Sequence, residues 1–102
     1  MTSSELARFV SAHPMALVFF TAPWCHPCKE YLPRVESACA RRGIPFGVVD
    51  VKESPDLTAL YGIQSVPVIL AFEFGQPWRS RVGALNNAAL LKFLYEIQGD
   101  LQ

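Results

Sequence analysis

The sequence predicts an α/β fold built on a mixed sheet, and three observations carry that prediction. Apolar patterns of helical and extended period succeed one another in the order helix–strand–helix–strand–helix–strand–strand–helix. Residues 15–21 are apolar without alternation, as expected of a strand covered on both faces. The third strand opens on Pro67 and joins the fourth through a turn at Gly75-Gln76-Pro77, whereas the earlier strands are linked through helices.

Each element has a local reason. Thr2 and Glu5 have the spacing of a capping box, and Leu6, Phe9, Val10 and His13 then share one helical face until Pro14 closes the helix. The strand at 15–21 follows. A second helix runs from Pro27 with Tyr31, Leu32, Val35, Ala38 and Cys39 inward; Gly43 follows its end, and Pro33 inside it should kink it by removing one N–H donor. Residues 46–51 form the second strand. Ser54-Pro55-Asp56 starts a short helix, with Ser54 as cap, that ends at Gly62. Residues 67–73 and 78–82 are the last two strands. Asn86 or Asn87 caps a final helix that buries Leu90, Leu91, Phe93, Leu94 and Ile97.

A chain of 102 residues has room for a single domain, 1–102, with a core but little surplus stability. Apolar residues make up 51%, charged residues 18%, and the formal net charge is zero, which excludes a disordered chain and gives no electrostatic reason to expect nucleic acid. The longest apolar run, residues 15–20, is too short to cross a bilayer, so no membrane is expected. Met1-Thr2-Ser3-Ser4-Glu5 lacks the basic start and apolar stretch of a secretory signal, and a cytoplasmic, reducing setting is the expectation. Three cysteines, an odd number, do not suggest a structural disulfide framework.

Within this frame lies Trp24-Cys25-His26-Pro27-Cys28, at a strand-to-helix junction. Two thiols three residues apart can close a small disulfide and reopen it when another thiolate attacks. The first sulfur sits at a helix N-terminus, where the dipole and unpaired N–H groups favour the thiolate. A zinc or iron–sulfur ligand pair and inert core thiols are the competing readings. One Cys-x-x-Cys supplies two ligands where a structural zinc takes four, and His26 is poorly placed as a third, so redox chemistry is favoured and no metal is expected. Cys39, in step with Leu32 and Val35, reads as core.

From about Met15 to Ile97 the chain resembles the thioredoxin family. The resemblance rests on Ala22-Pro23-Trp24-Cys25-His26-Pro27-Cys28-Lys29, Pro33 five residues after the second cysteine, Tyr61-Gly62-Ile63, Val66-Pro67, and Val82-Gly83-Ala84-Leu85. It implies a thioredoxin fold, a central mixed sheet of about four strands flanked by helices, with the family's first strand missing. It implies a cis Pro67 against the cysteines, Val66 offering backbone hydrogen bonds to an extended substrate, Gly83 and Ala84 as another wall of that groove, and Trp24 covering the disulfide. Cys25, expected to be the more exposed, is the nucleophile and Cys28 the resolving thiol, acting on protein disulfides without a metal or organic cofactor. A thioredoxin reductase or an equivalent electron donor would re-reduce the pair.

Three departures from the family pattern matter. His26 replaces the usual glycine and, with Pro27, tunes the couple; a thiolate stabilised by protonated histidine makes the pair more oxidising, with a midpoint between roughly −270 mV for thioredoxin and roughly −120 mV for a strongly oxidising periplasmic relative, and nearer thioredoxin. Phe19 stands where the family holds a buried aspartate, and Val48 where a lysine often pairs with it. Without the first strand, the strand at 46–51 becomes an uncovered edge, so a monomer is expected with an edge-strand dimer as the alternative. The functional expectation is a protein-disulfide reductase, against a thioredoxin-fold binding module with little turnover or a glutaredoxin-like, glutathione-dependent reductase. Trp78 receives no role.

Overall fold

The structure, a computed structural model, describes residues 1–99, so the last three residues of the expected domain lie outside the described residues. Helix α1 (Ser3–Ser11) leads into β1 (Met15–Thr21), then α2 (His26–Arg42), β2 (Phe46–Asp50), α3 (Pro55–Leu60), the hairpin β3 (Val68–Glu73) and β4 (Gln76–Val82), and α4 (Asn87–Gln98). The strands form one sheet in the order β2-β1-β3-β4, with β1 parallel to β2 and antiparallel to β3, and β3 antiparallel to β4. The uncovered edge expected of the second strand is the outer edge of β2.

The continuous apolar run of β1 is explained by this order. Ala16, Val18 and Phe20 point to one face with Val68, Leu70 and Phe72 of β3, where Leu6 and Val10 of α1 and Leu57 of α3 cover them. Leu17 and Phe19 point to the other face with Ile69 and Ala71, beneath Tyr31, Val35, Ala38 and Cys39 of α2 and Leu90, Phe93, Leu94 and Ile97 of α4. Gly47 in β2 lets α1 come close: a Cβ there would meet the Phe9 ring at 3.0 Å and the Met1 methyl at 3.2 Å.

The Thr2–Glu5 capping box forms in both directions. Four local expectations need correction. His13 lies beyond α1, not on its last turn, and rests its ring edge-on to Phe9 at 5.6 Å. Ser54 precedes α3 without a side-chain capping bond, because its hydroxyl donates instead to the Met1 carbonyl at 2.6 Å. The hairpin turn is Phe74-Gly75, both at positive φ (50° and 81°), not Gly75-Gln76-Pro77. Gln76 already pairs with Glu73, and Pro77 is accommodated in β4 because the register shifts there on an edge strand, where a missing N–H is tolerated. Leu91 is 42% exposed, one position off the buried face of α4. Of the two candidate caps, Asn86 accepts from the Ala89 N–H at 2.8 Å.

Candidate functional site

The path from β1 into α2 builds the dithiol. After Thr21 the chain turns, closed by the Cys25 N–H donating to the Ala22 carbonyl at 3.1 Å. Cys25 is the residue before the first turn of α2 and has an extended backbone. His26 begins the helix, followed by Pro27, whose absent N–H costs nothing there because first-turn donors have no intrahelical partner. The first turn carries no acidic side chain, so the positive end of the helix dipole is not neutralised locally. Cys25 and Cys28 are joined as a disulfide with their Cα atoms 5.4 Å apart.

Cys25 is 5% exposed and Cys28 3%, so the expected difference in exposure is small in this oxidised form. The bond holds both sulfurs against one another, and both residues belong to the apolar cluster that contains Phe19, Tyr31 and Ile69. His26 and Pro27 lie on the surface beside them.

Val66 and Leu85, distant in sequence, both pack against the apolar cluster that holds the two cysteines. The Val66–Pro67 peptide bond is cis. Val66 is half-buried and packs against both apolar clusters. The Gly83 N–H donates to the Pro67 carbonyl at 2.9 Å, hanging the loop after β4 on the loop before β3. Ala84 is exposed, and Leu85 packs against the cluster that holds the two cysteines. Trp24 is 67% exposed and, with Val51, Thr58, Ile63 and Val66, lines an open groove of about 610 Å³. Pro55, Thr58 and Ala59 of α3 line the same groove.

Phe19 is fully buried, 5.5 Å from the Tyr31 ring and 6.5 Å from the Phe46 ring, centroid to centroid, and sits directly opposite Val48 in the sheet. The Tyr31 hydroxyl is buried without a hydrogen bond of good geometry. Burial raises its pKa, opposed by the Leu85 backbone and the Arg34 charge. Cys39, fully buried on α2, has its thiol pushed up by burial to about 12. Among the described residues no group of three or more His, Cys, Asp or Glu is placed to hold a metal ion, and no helix is long and apolar enough to cross a membrane.

With this geometry the comparisons with known proteins agree. Residues 1–96 match the Thioredoxin family model. The chain belongs to the thioredoxin family. It is 34% identical to a thioredoxin of Mycobacterium bovis across 99% of this chain and 90% of that one. It is 33% identical to a Mycobacterium leprae protein named bifunctional thioredoxin reductase/thioredoxin, across 97% of this chain but 22% of that much longer one. Among solved structures, a Plasmodium falciparum thioredoxin superposes with a TM-score of 0.86 at 28% identity, covering 93% of each chain. Thioredoxin-family membership and a closed Cys25–Cys28 pair together support thiol–disulfide oxidoreductase chemistry.

Sequence reasoning missed one residue at the site. Arg34 donates to the Leu85 carbonyl at 2.7 Å and to the Asn87 side chain at 3.1 Å. In the sequence it is legible only as the partner of Glu30 one helical turn earlier.

Proposed function

We propose that the protein is a protein-disulfide reductase whose working group is the Cys25/Cys28 dithiol. The observation that carries the reading is a closable disulfide at the acid-free N-terminus of α2. In the reduced protein the Cys25 thiolate attacks one sulfur of a substrate disulfide; that bond breaks, and the departing substrate thiolate takes a proton from water. Cys28 then gives up its proton and attacks the Cys25 sulfur, releasing the second substrate thiolate and forming the Cys25–Cys28 bond. Two electrons pass from the dithiol to the substrate. Val66, Pro67, Gly83 and Ala84 line the bound segment, with Trp24 on its flank.

A donor must return two electrons to the pair. We assign that role to a thioredoxin reductase or an equivalent enzyme; the fused reductase in the name of the Mycobacterium leprae relative supports this. We place the protein in a reducing, cytoplasmic compartment, where a dithiol kept reduced by such a donor can act on disulfides. His26 at the first position of α2 draws the couple toward a more oxidising potential. Phe19 and Val48 leave Cys28 without an internal base, so its proton passes to water, substrate or His26, and resolution is slow near neutral pH.

The test is Cys28→Ser, which should hold substrates on Cys25 as mixed disulfides that a small dithiol releases. Wild type should turn over insulin disulfides with thioredoxin reductase and NADPH. An empty trap with no turnover would return the protein to a binding module.

A further inference from the structure

Arg34 ties α2 to the segment that follows β4. Its guanidinium is used on both sides. Toward its own helix, Nε and Nη2 meet the two Glu30 carboxylate oxygens at 2.9 and 3.2 Å. Across the fold, Nη1 donates to the Leu85 carbonyl and to Asn87 Oδ1. The group also lies 5.0 Å from the Tyr31 ring centroid, over the buried phenol. A planar fork with donors on several edges meets these partners together, which a lysine ammonium cannot do.

The segment it holds includes Gly83 and Ala84, which the function proposed above sets along the bound substrate. Residues 83–86 leave β4 as irregular chain before α4 begins, with no ladder of their own. They are fastened at one end by Gly83 to Pro67, in the middle by the Leu85 side chain on the cysteine cluster, and at the other end by Arg34 to Leu85 and Asn87. Glu30 and Arg34 follow Cys28 on the same helix. The tie therefore joins the dithiol helix directly to the segment between β4 and α4.

We infer that Arg34 is a positioning residue for substrate binding, holding the 83–87 segment against α2 so that the groove is ordered before a disulfide-bearing chain arrives. This rests on the protein-disulfide reading above. A loop ordered in advance spares the bound state that cost, so losing the tie weakens binding rather than chemistry. Arg34 makes no contact with the reacting sulfurs, and the potential of the pair does not depend on it.

Arg34→Met keeps the apolar stem over Tyr31 and removes the charged hydrogen bonds. The expected result is a rise of about tenfold in KM for insulin disulfides, with kcat held, from losing charge-assisted bonds that order this segment. The Gly83 amide should exchange faster, and Arg34→Lys should fall between Met and wild type. A variant with unchanged KM and unchanged Gly83 exchange overturns the inference. So does a loss confined to kcat or accompanied by a shifted potential. If wild-type protein turns over no protein disulfide, the functional reading fails, and the Gly83 exchange rate still decides the role of Arg34 in the loop.

Discussion

The two ends of helix α2 treat the same side chain in opposite ways. At the N-terminus, Cys25 and Cys28 sit where backbone N–H groups lack helical partners and no acidic residue offsets the dipole, and they pair as a disulfide. About 16 Å further along the axis, Cys39 is fully buried among aliphatic and aromatic side chains, and its thiol is pushed up to about 12. Burial alone is not what separates them, since all three are 5% exposed or less. What differs is a nearby sulfur and the helix end. Backbone N–H groups at a helix start favour a thiolate's charge, whereas desolvation without such groups holds the proton on.

The largest test of that contrast is functional. Cys25→Ser should lower disulfide reduction by at least about 10³-fold, the scale of losing a covalent nucleophile, while Cys39→Ser should leave it within twofold. Insulin reduction with thioredoxin reductase reads both. Equal losses would mean that the two ends of α2 act as one site.

Next in size is the floor beneath the disulfide. Phe19→Asp places a carboxylate between the Tyr31 and Phe46 rings with the apolar Val48 opposite. It should destabilise by about 3 kcal/mol or more in urea denaturation. Adding Val48→Lys should recover part of the loss and speed resolution of the mixed disulfide. A stable single variant, or no recovery in the double, would show that this floor is not the closed apolar layer it is here.

Alkaline pH sharpens the comparison at the other end. Cys39 releases its proton near 9 when unfolded and only near 12 when folded. Between those values the unfolded chain binds fewer protons, so stability falls as pH rises and is fully present below about 9. Tyr31 and Tyr61, also raised by burial, act in the same direction. Cys39→Ala isolates the thiol: its deficit against wild type at pH 7 should shrink by on the order of 2 kcal/mol at pH 11. Parallel stability–pH curves would remove Cys39 from the account.

The smallest effect is His26→Gly, which should make the couple more reducing by about 30 mV, a tenfold change in the exchange constant. Glutathione equilibration measures it, and equal midpoints would mean that the helix end, not the histidine, sets the thiolate.

Much of this was legible without coordinates wherever the cause lies within a few residues. The capping box at Thr2 and Glu5 and the covered strand at residues 15–21 depend on neighbours along the chain, and both are present as expected. The hairpin was misplaced because Pro77 reads as a turn residue; only its place on an edge strand with shifted register makes it tolerable. Ser54 reads as a cap but bonds to Met1, far away in sequence. Leu91 satisfies a helical pattern that the packing of α4 leaves facing outward.

By itself, then, the sequence determined the chemistry: a Cys-x-x-Cys at the start of a helix needs no distant residue to close, and its family landmarks lie in order along the chain. Tertiary structure alone decided how that chemistry is housed. It set Phe19 between two rings, shielded Cys39, and used Arg34 to bind the segment at residues 83–87 to the dithiol helix. The division follows from range. Spacing and helix-end electrostatics act over a turn or two of backbone, whereas burial and long hydrogen bonds exist only once the sheet has brought separated segments together.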